Sequence, residues 1–266
     1  MLTGLVTILG MIICFAAIIV GIMFLGGNLI NFASAPSALL VIIPTFGALM
    51  STVPIQLLLK IPAHFRIMMR KEETPEAQIE KIVELANKQR SGGLLALEEE
   101  VISEPTMQYG VRMLVDGVNE EEIRNALEES LESITTRHNE VIGMYEKAAN
   151  YAPAFGMCAT VVSLVNMLMG LDFDDADAVS SLGVNMSAAL ITTLYGSMLA
   201  NIVFIPIASR LKLLHKREIF NKSLICTGLI AIQNGKSPTF INDLLCEQLN
   251  KERRKKVKSV RRGGGE

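Results

Sequence analysis

Residues 148–209 read AANYAPAFGMCATVVSLVNMLMGLDFDDADAVSSLGVNMSAALITTLYGSMLANIVFIPIAS and contain no lysine, arginine, histidine or glutamate. Their charged side chains are four aspartates, all between residues 172 and 177. A Lys, Arg or Asp at the centre of a membrane helix costs roughly 2.5–3.5 kcal/mol on insertion scales. The apolar stretches on either side of the aspartates therefore predict two transmembrane helices, near 151–171 and 182–209.

A second charge-free window covers residues 1–59, which contain no Asp, Glu, Lys, Arg or His. A turn sequence at 26–28 (GGN) divides this window, so that helices near 2–25 and 35–59 are each long enough to span a bilayer. All 25 lysines and arginines lie outside the two windows and flank the same ends of the four spans. The positive-inside rule then places both basic segments, and both termini, in the cytoplasm.

These features predict an all-α, polytopic membrane protein with four transmembrane helices and a helical cytoplasmic domain. Residues 60–147 carry 11 basic and 18 acidic side chains, whereas residues 210–266 carry 14 basic and 5 acidic. The acidic segment 60–147 repels nucleic acid and suits a protein partner with basic patches, so we expect no nucleic-acid partner. The basic tail at 251–262 is expected to lie near anionic lipid. The predicted divisions are transmembrane helices 1 and 2 at 1–59, a cytoplasmic helical domain at 60–150, transmembrane helices 3 and 4 at 151–209, and a cytoplasmic helix extension with the tail at 210–266.

The cytoplasmic loop carries helix signals. Thr74 followed by Pro75 is typical of an N-cap and first helical position, and predicts a helix through about Gln89. Two glycines at 92–93 interrupt it, and a short helix is expected over 94–102.

Two helices are predicted to continue across the membrane surface, one from the cytoplasmic domain into the third span and one from the fourth span into the cytoplasm. Asn119 with Glu122 resembles a capping box, and apolar residues then recur at helical spacing without a breaker into the third span. About 50 continuous residues would form a rod roughly 75 Å long. The fourth span is expected to continue through 212–232 and to end at Asn234-Gly235.

No ionisable residue lies inside any predicted span. Pumps and transporters that move protons usually need a carboxylate or histidine at membrane depth, so a titrating group would have to come from another chain. The last two spans offer small, hydroxyl and amide residues instead, namely Pro153, Gly156, Thr160, Ser163 and Met167, then Thr192, Thr193, Gly196, Ser197 and Asn201. We interpret these clusters as oxygen ligands along a path beside a partner's carboxylate. The alternative is that each threonine bonds only to its own helix.

Motifs of soluble-enzyme chemistry are absent from the sequence, including the P-loop, GxGxxG, GxSxG and HExxH patterns. The three histidines and four cysteines have no metal-type spacing. We therefore expect neither an enzyme nor a bound cofactor.

Several short motifs in the second half of the chain are similar to those of one family. They are Asp116-Gly117, Ile123-Arg124, Arg137-His138, YAPAFGM at 151–157, LITTLYG at 190–196, Ala200-Asn201 and IPIA at 205–208. Together with the four-span topology, they resemble the signature of the MotA/PomA flagellar stator proteins. The resemblance covers nearly the whole chain and implies a place in the bacterial inner membrane.

The resemblance implies a homo-oligomeric ring, a pentamer, around a dimer of MotB/PomB-like chains. Each partner chain would have one span with an essential Asp, past which ions flow while the ring drives the rotor. The family's two required prolines match Pro153 and Pro206, and its ion-path threonine matches Thr193. Its rotor-contact charges match Arg90 and Glu98, which would meet opposite charges on the rotor protein FliG.

The identity of the transported ion depends on one position. Proton-driven members generally place a small residue where this chain has Thr160, whereas sodium-driven members place Thr. Thr160 with Thr192 and Thr193 resembles the sodium pattern, since Na⁺ requires several oxygen ligands and a proton needs only the carboxylate. Cys-Ala at 158–159 stands where sodium-driven members commonly have Ile-Gly. We favour sodium over proton.

Three other functions are compatible with a multi-span chain. An ExbB/TolQ-like energiser is also a pentamer around a partner with an Asp-bearing span, but those proteins have three spans. A stand-alone channel or transporter is disfavoured by the absence of inverted repeats and of charge within the spans. A purely structural scaffold would leave the two hydroxyl clusters unexplained.

Overall fold

The computed structural model describes residues 2–69, 74–98, 100–170 and 178–249. Regular structure in these ranges is helical throughout, which confirms the all-α class. The acidic loop at 172–177 and the basic tail at 251–262 lie outside the described residues. The α-helices are α1 (Leu2–Phe24), α2 (Ala35–Thr52), α3 (Ile55–Leu59), α4 (Ile61–Met69), α5 (Pro75–Gly92), α6 (Pro105–Val115), α7 (Glu120–Met169), α8 (Ala178–Met198), α9 (Ile205–Gln233) and α10 (Pro238–Glu247).

Four helical stretches have the length and apolar character to cross a bilayer, in agreement with the four predicted spans. They are Gly4–Phe24, Leu29–Thr52, Glu120–Met169 and Leu182–Gln233. The chain divides into two compact units, one comprising residues 1–70 with 139–214 and the other residues 71–138 with 215–266. The first unit contains Gly4–Phe24 and Leu29–Thr52 completely and the other two stretches in part. We call the second unit the lobe.

The helix of the second span ends earlier than predicted. A single helix was expected over 35–59, but α2 ends at Thr52 and α3 begins at Ile55. Pro54 disfavours helical backbone at the residue before it, and Val53 is extended, with φ −138° and ψ 140°. The helix is therefore interrupted at Val53-Pro54.

Helix α7 has the predicted length and start. It contains 50 residues, and its first turn is capped where Asn119 Oδ1 accepts a hydrogen bond from the backbone N–H of Glu122 at 2.9 Å. At 1.5 Å per residue the helix is about 75 Å long. Its first part belongs to the lobe and the remainder to the first unit.

The fourth span also continues into the lobe, and it contains a π-helical turn that was not predicted. The turn, Leu199–Phe204, joins α8 to α9 just before Pro206. A proline inside a helix has no N–H to donate and its ring crowds the carbonyl four residues earlier, so a locally widened turn relieves that clash. Helix α9 ends as predicted, where Gly235 has φ +63° and Lys236 N–H donates to Ala231 O at 3.1 Å, as in a Schellman motif.

Two predictions for the lobe need correction. The helix expected over 94–102 is a single 3-10 turn, Leu94–Leu97, followed by irregular backbone. Helices α6 and α10 were not predicted, although Glu104 and Ser237 cap their N-termini ahead of a proline at the first helical position. All lobe helices share one core, in which Ile82, Leu127 and Leu229 are fully buried.

A buried ion pair fixes the N-terminus of α6 within that core. Lys222 of α9 donates to Glu104 Oε1 and to Thr106 Oγ1, both at 2.8 Å, and the side chains of the pair are 10% and 13% exposed. The other carboxylate oxygen of Glu104 accepts the backbone N–H of Met107 at 2.5 Å. One glutamate thus caps α6 and neutralises a buried lysine.

We predict that Lys222→Met loosens α6, because it leaves the Glu104 carboxylate buried without its cation. Removing one partner of a buried pair costs about 3–5 kcal/mol. Hydrogen exchange of the α6 amides should accelerate in the purified protein. Lys88→Met is the matched control, since Lys88 pairs with Glu84 and Glu100 at the surface. Equal exchange rates in the two variants would contradict the structural role of the buried pair.

Candidate functional site

Glycines bring α7 and α8 together within the apolar stretches of the third and fourth spans. A Cβ added to Gly196 would lie 2.5 Å from the carbonyl oxygen of Ala152 and 3.2 Å from the Cα of Gly156. A Cβ on Gly156 would lie 3.1 Å from the carbonyl oxygen of Thr192. Small residues at such crossings let transmembrane helices approach backbone to backbone. This contact sets the separation of the two helices beside the hydroxyl groups.

One turn beyond the glycines, three threonine hydroxyls meet. Thr160 Oγ1 lies 3.0 Å from Thr192 Oγ1 and 2.5 Å from Thr193 Oγ1. It is also 3.0 Å from two backbone carbonyl oxygens, those of Gly156 and Ala189. We call the three hydroxyls and two carbonyls the oxygen cluster. The structure thus brings together the three threonines that the sequence singled out.

The oxygen cluster has one accessible side. Thr192 is fully buried and donates to Ala189 O at 2.7 Å, Thr160 is half-buried, and Thr193 is exposed. Hydroxyl and carbonyl oxygens can replace part of the hydration shell of a cation. The cluster itself has no formal charge, because threonine and the backbone are neutral. A cation held there would need a carboxylate from elsewhere.

The two prolines lie away from the threonines. Pro153 precedes Thr160 by seven residues on α7, or about 10 Å along the helix axis. Pro206 follows Thr193 by thirteen residues, or roughly 20 Å along α8 and α9. Both prolines are half-buried. They belong to the same two helices as the oxygen cluster, but the helical rise separates them from it.

Sequence reasoning missed a tyrosine that ties α8 to the connection between α1 and α2. The hydroxyl of Tyr195 donates to the carbonyl of Phe32 and accepts the backbone N–H of Ser34 at 3.1 Å. These partners are more than 160 residues away in the chain. A tyrosine within an apolar segment gives no indication of such a distant partner, so the sequence could not have revealed this contact.

The charged candidates lie on the lobe, around the junction of α5 and the 3-10 turn. Arg90 is exposed in the last turn of α5, and Glu98 is exposed at the end of the 3-10 turn. Gly93 between them has φ +77°, a conformation that glycine adopts without steric cost. Beside them, a hydrogen bond to Glu100 raises the pKa of Lys88.

Comparisons with known proteins give one consistent family. The sequence profile of the MotA/TolQ/ExbB proton channel family matches residues 98–223. Chemotaxis protein PomA of Vibrio alginolyticus is 39% identical over 94% of this chain and 97% of its own length. Motility protein A of Treponema phagedenis is 36% identical over 96% of this chain and 97% of its own.

Two solved structures have the same fold. The flagellar MotAB stator complex from Bacillus subtilis matches with a TM-score of 0.84 at 30% identity, covering 94% of this chain and 97% of that chain. C. jejuni MotAB matches with a TM-score of 0.84 at 24% identity, covering 93% of this chain and 96% of that chain.

We predict that Gly196→Ala destabilises the protein, because the new methyl group would overlap the backbone of α7. Overpacking of this kind costs about 1–3 kcal/mol. The purified protein in detergent should unfold at a lower temperature. Gly183→Ala on the same helix is the control, since nothing lies within 4 Å of a Cβ at that position. Unchanged unfolding of the Gly196 variant would contradict the close approach of α7 and α8.

Proposed function

The chain belongs to the motility protein A (MotA/PomA) family of flagellar stator proteins, and we propose that it conducts sodium ions across the inner membrane with a MotB/PomB-like partner and converts that flow into torque on the rotor. The observation that carries this proposal is the uncharged oxygen cluster around Thr160. It supplies ligands for an ion without a titrating group of its own. Proteins of this family are channel components of a motor, so the chain is not an enzyme.

The partner supplies the missing carboxylate in this proposal. The described parts of the four spans contain no Asp or Glu between residues 2 and 59, 148 and 170, or 178 and 209. A single-span partner with an aspartate beside the oxygen cluster would complete an ion path. The solved Bacillus subtilis structure, described as a flagellar MotAB stator complex, supports a MotB-type partner. We propose a pentameric ring of this chain around a partner dimer, with both termini in the cytoplasm.

The number of oxygens supports sodium over proton. A proton can pass on the partner's carboxylate alone, whereas Na⁺ needs several oxygen ligands. Thr160 Oγ1 has four other oxygens within 3.0 Å, two from the hydroxyls of Thr192 and Thr193 and two from backbone carbonyls. Moving one elementary charge across 100 mV releases about 2.3 kcal/mol, so several ions per cycle can drive work against a load.

Arg90 and Glu98 are the proposed contacts with the rotor protein FliG. Both are exposed and therefore available to charges of opposite sign. An exposed ion pair contributes only about 0–1 kcal/mol, which suits a contact that forms and breaks at every step. Helix α7 belongs in part to the lobe and in part to the third span, so the chain passes between them without leaving the helix.

The ExbB/TolQ-like alternative shares the matching family profile but has less support. The curated relatives reported above match along nearly their full length and carry motility names. The chain also has four membrane-type helical stretches, whereas an ExbB/TolQ-like energiser has three. We therefore retain the flagellar stator as the proposed function.

We predict that Thr160→Ala weakens the sodium dependence of motility while leaving the stator assembled, because it removes the hydroxyl at the centre of the oxygen cluster. Swimming speed should be measured against sodium concentration in cells whose own copy of the gene is replaced. Thr160→Ser keeps the hydroxyl and should keep the sodium response. An unaltered sodium response in the Thr160→Ala strain would show that Thr160 is not part of the ion path.

We predict that the double reversal Arg90→Glu with Glu98→Lys reduces torque without reducing membrane insertion, because both changes fall on exposed side chains. Torque should be measured on tethered cells, and membrane levels by immunoblot. The matched control reverses Glu120 and Arg124, an exposed ion pair at 2.9 Å on α7. Normal torque in the first double variant would show that Arg90 and Glu98 are not needed for the rotor contact.

A further inference from the structure

Two exposed apolar side chains lie close in sequence to the residues of the proposed rotor contact. Leu95 is 70% exposed and Val101 is 95% exposed, the largest values for a bulky apolar residue in the described part of the lobe. Tyr109 and Phe240, at 45% and 50%, are the next most exposed. Single exposed apolar residues are ordinary on protein surfaces, but these two flank Glu98 on one short segment.

The 3-10 turn places Leu95 and Glu98 on the same face. The backbone N–H of Glu98 donates to the carbonyl of Leu95 at 3.1 Å, and residues three apart in a 3-10 helix are eclipsed. Leu97 points the other way and is 1% exposed in the lobe core. The turn therefore presents an apolar and an acidic side chain together, and buries the leucine between them.

The segment from Leu95 to Glu104 cannot bury Leu95 and Val101 without losing other contacts. Lys88 of α5 pairs with Glu100, while the buried Lys222 pairs with Glu104. Leu97 anchors the same segment from beneath. Ion pairs on both sides of Val101 and a buried leucine thus hold the segment in a shape that exposes Leu95 and Val101.

Charges alone give this surface little affinity. Exposed ion pairs contribute about 0–1 kcal/mol, whereas fully burying a leucine or valine contributes about 1.5–3 kcal/mol. Protein interfaces typically have an apolar centre and a polar, solvated rim. The energetically effective residues are those removed from water on binding. Arg90 and Glu98 are exposed and charged, as residues at the rim of an interface are. The apolar centre of the interface would then consist of other side chains.

We propose that Leu95 and Val101 form the apolar centre of the surface through which the lobe contacts the rotor protein, with Arg90 and Glu98 on its charged rim. The proposal rests on the rotor-contact function of those two charges. The partner is then a protein surface that has an apolar cleft bordered by charges of opposite sign. The net negative charge of the loop containing this segment favours a partner with basic groups at that border.

The test replaces exposed side chains, so folding is not at issue. Leu95→Ser, Val101→Ser and the double variant are compared with Tyr109→Ser and Phe240→Ser, which change exposed apolar residues elsewhere in the lobe. Stall torque per stator is measured with beads on flagellar stubs, and stator copies at the motor are counted with a fluorescent fusion. Complexes are also purified with the partner, to check the ring.

We expect torque per stator to fall to about half or less in the double variant, since two interfacial side chains lose their apolar contacts. The ring, the membrane level and both control variants should be unaffected. Unchanged torque in the double variant would overturn the proposal. A ring that falls apart would overturn it as well, because Leu95 and Val101 would then lie between copies of this chain.

The charge reversal of Arg90 and Glu98 separates failure of this proposal from failure of the proposed function. If the reversal lowers torque and the serine variants do not, the rotor contact is correct and the apolar centre is wrong. If neither changes torque, the rotor contact does not lie on this segment, and both assignments fail.

Discussion

The bilayer excludes charge from four segments of this chain, and most of the structure follows from that exclusion. The described spans carry no carboxylate, and in the proposed function the counter-charge of a passing ion comes from the partner chain. What the spans contribute is neutral oxygen, concentrated where Thr160 meets Thr192 and Thr193. Glycines at 156 and 196 make that meeting possible, because they let α7 and α8 approach backbone to backbone.

Two of the membrane-type helical stretches continue into the lobe. Helix α7 passes from the lobe into the spans without interruption, and α8 continues through the π turn into α9. The charged side chains of the lobe are of two kinds. The buried Lys222–Glu104 pair fixes the backbone at the start of α6, whereas Arg90 and Glu98, the proposed rotor contacts, are exposed.

Sequence reasoning succeeded where one physical constraint dominates. Charge exclusion located all four spans, and an unbroken helical period with a capping box gave the length of α7. Residue spacing gave two separate clusters, one on each of the last two spans, and the three threonines were grouped because together they resemble the pattern of sodium-driven family members. The π turn before Pro206 was missed because its cause is a clash several residues away. Helices α6 and α10 were missed because their caps are ordinary polar residues and their apolar faces are short. The break at Val53-Pro54 could have been found, since a residue before proline disfavours helix.

The central claim is that this chain powers flagellar rotation, and the most direct test is the swimming of a strain that lacks only this gene, with its filaments stained. The account predicts cells that carry filaments but do not swim, and that recover when the gene is returned, to an extent that rises with external sodium. Normal swimming without the gene, in a strain shown to have no second stator set, would contradict the account.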